Sequence, residues 1–200
     1  MSKNWSLILV VAFTLGYGLK LFLESSAEKT PAVEAQTVAT FAGENNQVVD
    51  LYDLNDQRVR IAYFGFTHCP DVCPTSLAML SAALKELDEK SLASIRPVFI
   101  TLDPERDDAD KAHQYAQYFH STIEGLSAPL AVTQPIAERY GVVFKKTELK
   151  DSQLKYTIDH NSYFYFLQPD GQLITKVPHT LNPAPIVAAI KQLQETNPKE

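Results

Sequence analysis

Cys69 and Cys73 are the only cysteines in this chain of 200 residues, and three residues separate them in the run CPDVC. A disulfide scaffold scatters its cysteines to staple distant loops, so a close pair in a chain of this length reads as a site. The spacing is one residue wider than the C-x-x-C of dithiol oxidoreductases, and it still brings both sulfurs onto one ion or into one disulfide. Pro70 and Pro74 restrict the loop. A helix expected to begin near Thr75 would follow Cys73 directly. Its macrodipole favours a thiolate there, and both cysteines are expected to ionise more readily than free thiols. Two soft thiolates make a poor site for calcium or magnesium and a good one for Cu(I), which also accepts imidazole as a third ligand.

Five histidines could supply that imidazole. His113 and His120 lie on an expected surface helix and read as solvated side chains, and His179 follows Pro178 in an expected loop. His68 adjoins Cys69, but adjacent residues of an extended segment point to opposite sides. His160, in IDHNSYFYFL, stands at the mouth of an expected hairpin. By position alone it reads equally as a ligand or as a loop histidine held by hydrogen bonds.

The elements that would position these groups follow from periodicity. Arg58 to Thr67, RVRIAYFGFT, is β-branched and aromatic, which suits a buried strand running straight into the cysteines. Thr75 and Ser76 can cap a helix whose Leu77, Leu80, Leu84 and Leu87 share one face. Arg96 to Leu102 reads as a second buried strand and Asp107 to Phe119 as an amphipathic helix, together a βαβ unit. A further helix is expected from Gln134 to Tyr140, stopped by Gly141. Tyr163 to Leu167 and Leu173 to Val177 flank the turn QPDG as a hairpin, and Pro183 to Gln194 closes the chain as a helix. This order describes an α/β fold, a thioredoxin-like three-layer sandwich. In thioredoxins and peroxiredoxins the loop facing the cysteines typically presents a cis-proline, yet Thr157 to Tyr163 contains no proline.

Before the domain, Trp5 to Leu23 is an apolar run that would span about 28 Å as a helix, close to the hydrocarbon thickness of a bilayer. Residues 1–23 are therefore expected to form an N-terminal transmembrane helix, with Lys20 reaching the interface and the domain outside the cytoplasm. The alternative is a secretory signal peptide, for which Ser25 and Ala27 supply the small residues of a cleavage site. Residues 24–40 are small and charged and read as a flexible tether, leaving 41–200 as one domain. No Arg-rich amphipathic presequence is present, which favours a bacterial inner membrane, with the domain on its periplasmic or outer face, over an organelle. The net charge is −6 and no basic block occurs, so nucleic acid is not expected as a partner. Peroxidase chemistry is disfavoured too: peroxiredoxins use a Pro-Thr-x-x-Cys loop, whereas here Pro74 and Thr75 follow the cysteine.

FGFTHCPDVCPTSL (Phe64 to Leu77), TLDPERD (Thr101 to Asp107) and DHNSYFYFLQPDG (Asp159 to Gly171) closely resemble, in the same order, the Sco/SenC family of copper proteins. That resemblance implies a site in which Cys69, Cys73 and His160 hold one copper ion, as Cu(I) or Cu(II). It also implies a metallochaperone that assembles the dinuclear copper centre of cytochrome c oxidase, with the oxidase's copper-binding subunit as partner and a copper donor, a protein or a small chelate, upstream. Asp159, which precedes the histidine, reads equally as orienting its ring or as capping a turn. Asp103, Arg106 and Asp107 read as structural. VVDLYDLNDQRV lacks the glycine that relatives often carry before the first core strand, which leaves that turn in question. A second reading is a thiol-disulfide oxidoreductase that keeps the oxidase's copper-ligand cysteines reduced; it needs the cysteine pair and not His160.

Overall fold

The computed structural model describes residues 17, 20 and 39–196. The chain divides into two compact units, Met1–Thr37 and Val38–Glu200. The expected transmembrane helix and tether lie almost wholly outside the described residues, among which no helix is long and apolar enough to cross a membrane.

In chain order the domain contains β1 (Thr40–Ala42), β2 (Val48–Asp50), β3 (Val59–Gly65), α1 (Val72–Lys85), α2 (Glu89–Ala93), β4 (Ile95–Thr101), α3 (Ala109–Phe119), β5 (Glu124–Leu126), α4 (Leu130–Arg139), β6 (Phe144–Glu148), β7 (Tyr156–His160), β8 (Tyr163–Leu167), β9 (Leu173–Pro178) and α5 (Ala184–Thr196). The main sheet runs β5-β4-β3-β8-β9. β3 pairs parallel with β4 and antiparallel with β8. Central strands covered on both faces read as unbroken apolar runs, and β3 is buried from Arg60 to Gly65.

Alternation along β3 sends its aromatic residues to different layers. Tyr63 lies opposite Phe99 and Phe164 in the register, on the side where Tyr115 of α3 packs on Phe99 at 5.3 Å. Helices α1, α3 and α5 pack together in that layer. Phe64 meets Tyr165 at 5.7 Å and Tyr140, at the end of α4, at 6.5 Å in the other. Helices therefore flank a mixed sheet, as the periodicity implied.

Several boundaries differ from expectation for physical reasons. Helix α1 begins at Val72, three residues before Thr75, so Cys73 sits inside its first turn. Helix α3 begins at Ala109 because Asp108 caps it, accepting from the Lys111 amide at 2.8 Å. That frees Asp107 for other partners. Helix α4 starts at Leu130, four residues before Gln134, with Pro135 in its interior. The turn lacking a glycine is organised by Arg60, whose fully buried guanidinium donates to the carbonyls of Leu51, Asp53, Asp56 and Arg58. The pair β6 and β7 escaped the sequence reading altogether. Only Phe144 and Thr147 of FKKTE are partly buried, so it carries no strong strand period.

Candidate metal centre

Strand β3 delivers the chain to Phe66, and a short turn, closed by the Cys69 amide on the Phe66 carbonyl at 3.3 Å, leads into α1. The loop needs Gly65 for a local reason. A Cβ there would stand 3.0 Å from the Cys73 sulfur and 3.0 Å from the Tyr63 ring, so glycine lets the sulfur rest against the strand without displacing it. Cys73 is fully buried and Cys69 half-buried, and both are free thiols.

Because Cys73 lies within the first turn of α1, its backbone amide points at the other sulfur, donating to Cys69 Sγ at 3.3 Å. The unpaired amides of a helix start favour a negative charge at that point. Cys69 is accordingly pulled well below the ordinary thiol range, first by the hydrogen bond from the Cys73 side chain, then by His160 and the backbone amides of Cys73 and Asp71. Cys73 moves the opposite way: its hydrogen bond to Cys69 and its burial both hold it protonated. The expectation that both cysteines ionise readily is thus corrected for Cys73, since the helix start serves the residue four positions earlier.

His160 ends β7, paired with Phe144 of β6, and lies three residues before Tyr163 opens β8, whose register partner is Pro178 at the open end of the β8–β9 hairpin. Its Nε2 lies 3.4 Å from Cys73 Sγ. Its Nδ1 lies 3.0 Å from the Asn161 carbonyl oxygen, and since a carbonyl only accepts, Nδ1 carries a proton and Nε2 is the ring atom turned to the sulfur. The edges of Tyr63 and Phe66 bracket the ring, at centroid distances of 6.4 and 6.1 Å. The ring is therefore oriented by Asn161, not by Asp159, whose carboxylate accepts from Thr147 Oγ1 at 2.6 Å.

The other histidines are engaged elsewhere. His68 Nδ1 meets Thr67 Oγ1 at 3.0 Å and Asp107 at 3.5 Å. His113 accepts from the Gly125 amide, and His120 meets Thr122. His179, read from the sequence as a loop residue, reaches Ser76 Oγ of α1 at 2.8 Å. Tyr63 and Ser162, which the sequence reading passed over, line the same region, hydroxyl to hydroxyl at 2.7 Å. Their types signal only core and loop, so sequence offered no sign of them.

Two sulfurs and an imidazole nitrogen thus converge from α1, its preceding loop and β7. They touch one another, and no group of His, Cys, Asp or Glu among the described residues is spread around a metal-sized space beforehand. The donor types, two soft thiols and an imidazole whose Nε2 points inward, nevertheless fit copper.

Comparison with known proteins follows the same lines. The family model SCO1/SenC matches residues 28–195. The mitochondrial protein SCO2 of Saccharomyces cerevisiae is 36% identical over 141 residues, which are 70% of this chain and 47% of that protein. The chain spans less than half the length of the curated mitochondrial relatives it matches. Among solved structures, Arabidopsis thaliana ScoI with copper bound superposes with a TM-score of 0.69 at 31% identity, covering 78% of this chain and 96% of that one. BsSco, a member of the Sco family of cytochrome c oxidase assembly proteins in which a disulfide switch has been identified, shares the fold at 20% identity and a TM-score of 0.59, covering 79% of this chain and 92% of that one. The chain belongs to the SCO1/SenC family.

Proposed function

We propose that this chain is a copper metallochaperone that binds one copper ion through Cys69, Cys73 and His160 and passes it to the dinuclear copper centre of a cytochrome c oxidase. One observation carries the reading: His160 Nε2 faces Cys73 Sγ at 3.4 Å beside the Cys69 sulfur, with Nδ1 engaged by the Asn161 carbonyl. A soft thiolate pair with one imidazole suits copper in either common valence. Copper is the cargo here. Cys69, half-buried, is the donor a partner can approach, while the fully buried Cys73, with His160, holds the ion until the recipient's own ligands take over. Copper-bound ScoI and the oxidase-assembly role of BsSco support the assignment by kinship. The partner would be the oxidase's copper-binding subunit, with a separate copper donor upstream. Residues 1–23 would anchor the domain to a bacterial inner membrane, facing outward, as the length of the apolar run supports.

Copper titration of the full chain, as wild type and as Cys69→Ser, Cys73→Ser and His160→Ala, tests the reading. One copper per wild-type chain is expected. Each substitution should weaken binding by more than the roughly 10- to 100-fold that outer-sphere partners of a metal site carry. Unchanged affinity and spectrum in His160→Ala would sink it.

The asymmetry of the two thiols favours a second reading, a thiol-disulfide oxidoreductase serving the same client. A half-buried sulfur held well below the usual thiol range beside a buried one held above it has the form of an attacking and a resolving thiol. The Cys69 thiolate would attack a client disulfide and release one client thiolate. Cys73 would then displace the second client sulfur, leaving the client reduced and the pair oxidised. Reductase activity that survives His160→Ala would favour this reading, and alkylation near pH 6 should fall on Cys69 first.

A further inference from the structure

The two halves of the site belong to different parts of the domain. The cysteines extend the main sheet, whereas His160 ends a separate two-stranded ribbon, β6 and β7. A lone two-stranded ribbon is marginally stable in water, so something must hold it. At the His160 end that task falls to Asn161, whose amide and side chain bond to Val143 and Gly141. One fixed end still leaves a strand free to swing.

The other end is held by the segment DPERD, Asp103 to Asp107. Arg106 Nη1 donates to the carbonyls of Leu154 and Tyr156 at 3.2 and 3.1 Å, and its guanidinium lies 3.7 Å from the centroid of the Tyr156 ring. Asp103, which is 2% exposed, accepts from both Arg106 Nε at 2.5 Å and the Tyr156 hydroxyl at 2.8 Å. Arg106 Nη2 is buried without a hydrogen-bond partner, so the guanidinium sits where β7 needs it and not where its own donors are all satisfied. Four residues along, the fully buried Asp107 turns to the cysteine side. It accepts from the Thr67 amide at 2.8 Å, the Thr67 hydroxyl at 2.5 Å and the Thr101 hydroxyl at 2.8 Å. Thr67 is two residues before Cys69. One short segment therefore grips both ligand-bearing elements, from neighbouring residues.

We propose that Asp103–Asp107 is a strap that sets the separation between the cysteine loop and His160, with Asp107 the positioning residue on the thiol side and Arg106 the positioning residue on the imidazole side. The proposal rests on the copper reading above but has consequences that can be read without metal. Loss of Arg106 would let β7 pivot about Asn161 and carry the imidazole off the sulfurs. Loss of the Thr67 contact would loosen the turn into Cys69 and leave the ribbon in place.

The test uses the full chain as wild type, Arg106→Gln, Thr67→Val, His160→Ala and the double variant of Arg106→Gln with His160→Ala. Copper affinity should fall about tenfold in Arg106→Gln, the lower end of what outer-sphere partners of a metal site supply. In the His160→Ala background the same substitution should cost nothing further, because the arginine acts through the imidazole. Without copper, the His160 ring-proton resonances, displaced by the bracketing Tyr63 and Phe66 rings, should move in Arg106→Gln and stay in Thr67→Val. The equilibrium of the Cys69–Cys73 dithiol with glutathione disulfide should show the reverse pattern. Tyr156→Phe, which removes only one hydroxyl from the grip, should follow Arg106→Gln to a smaller degree if the arginine variant folds poorly. Equal losses of affinity in both His160 backgrounds, or ring resonances that do not move, would overturn the strap. A wild type that fails to bind copper would overturn the copper reading instead, and the two metal-free measurements would still decide the strap.

Discussion

The cysteine loop and the His160 ribbon contribute to one site by opposite means. The loop is continuous with β3, whose six residues from Arg60 are all buried and whose neighbours on both sides are buried strands. Its position is inherited from the core. The ribbon pairs only with itself, and of its residues Tyr156 and Ile158 are the ones that reach burial. Its position comes from a few polar contacts and from Arg106 stacked on the Tyr156 ring. Core packing spreads its stabilisation over many small contacts, whereas a polar anchor concentrates it in two or three bonds. The strand that leads to the thiols should therefore resist substitutions at polar contacts, and the ribbon bearing the imidazole should respond to them.

Four measurements can break or sharpen that contrast. The largest effect belongs to the core. Phe164, fully buried opposite Tyr63, changed to Ala should destabilise the domain by about 3–5 kcal/mol in urea unfolding, with the cysteine loop and ribbon lost in the same transition. Separate transitions would break the link between loop and core. Gly65→Ala should follow at about 1–3 kcal/mol, because its Cβ meets Cys73, Tyr63 and Phe99 at 3.0 to 3.1 Å. It should also displace the Cys73 sulfur, seen as altered alkylation of the pair.

Tyr156→Phe should cost only about 1 kcal/mol, since Asp103 keeps its bond to Arg106. The loss should be local: amide exchange should quicken in Phe144–Glu148 and Tyr156–His160 and stay unchanged in β3 and β4. Uniform acceleration would mean that the ribbon and the sheet unfold as one. The smallest effect concerns Asp56, held down to about 2 mainly by its hydrogen bonds with Arg58, with Arg60 adding to the pull. A carboxylate with a depressed folded value contributes stability that is complete above its unfolded value near 3.8 and disappears as pH falls through about 2. Asp56→Asn should therefore flatten the acid limb of the stability curve between those values, measured by thermal melting, and leave stability at pH 7 to 8 without added pH dependence.

Much of the sheet was legible because β3, β4 and β8 are short apolar runs bounded by turn residues, and that pattern needs no partner to be read. The ribbon was not, because Lys145, Lys146 and Asp159 face solvent and its pairing is non-local. The start of α1 was misplaced by three residues because Cys73 and Pro74 carry no capping signal, while Pro is well tolerated in a first helical turn. That small shift places Cys73 inside the helix start, so that its amide serves the Cys69 sulfur. The roles of Asp103, Arg106 and Asp107 were read as structural; their neighbours in space, Thr67 and Tyr156, lie 40 and 50 positions away along the chain.

By itself the sequence determined the two thiols and their spacing, the strand and helix that frame them, and the family to which such motifs belong, since each of these is local in the chain. Only the tertiary structure decided which sulfur the helix start serves, which atom orients His160, and how one segment reaches both halves of the site. Those are matters of direction and distance between residues far apart in sequence, and neither composition nor periodicity carries them.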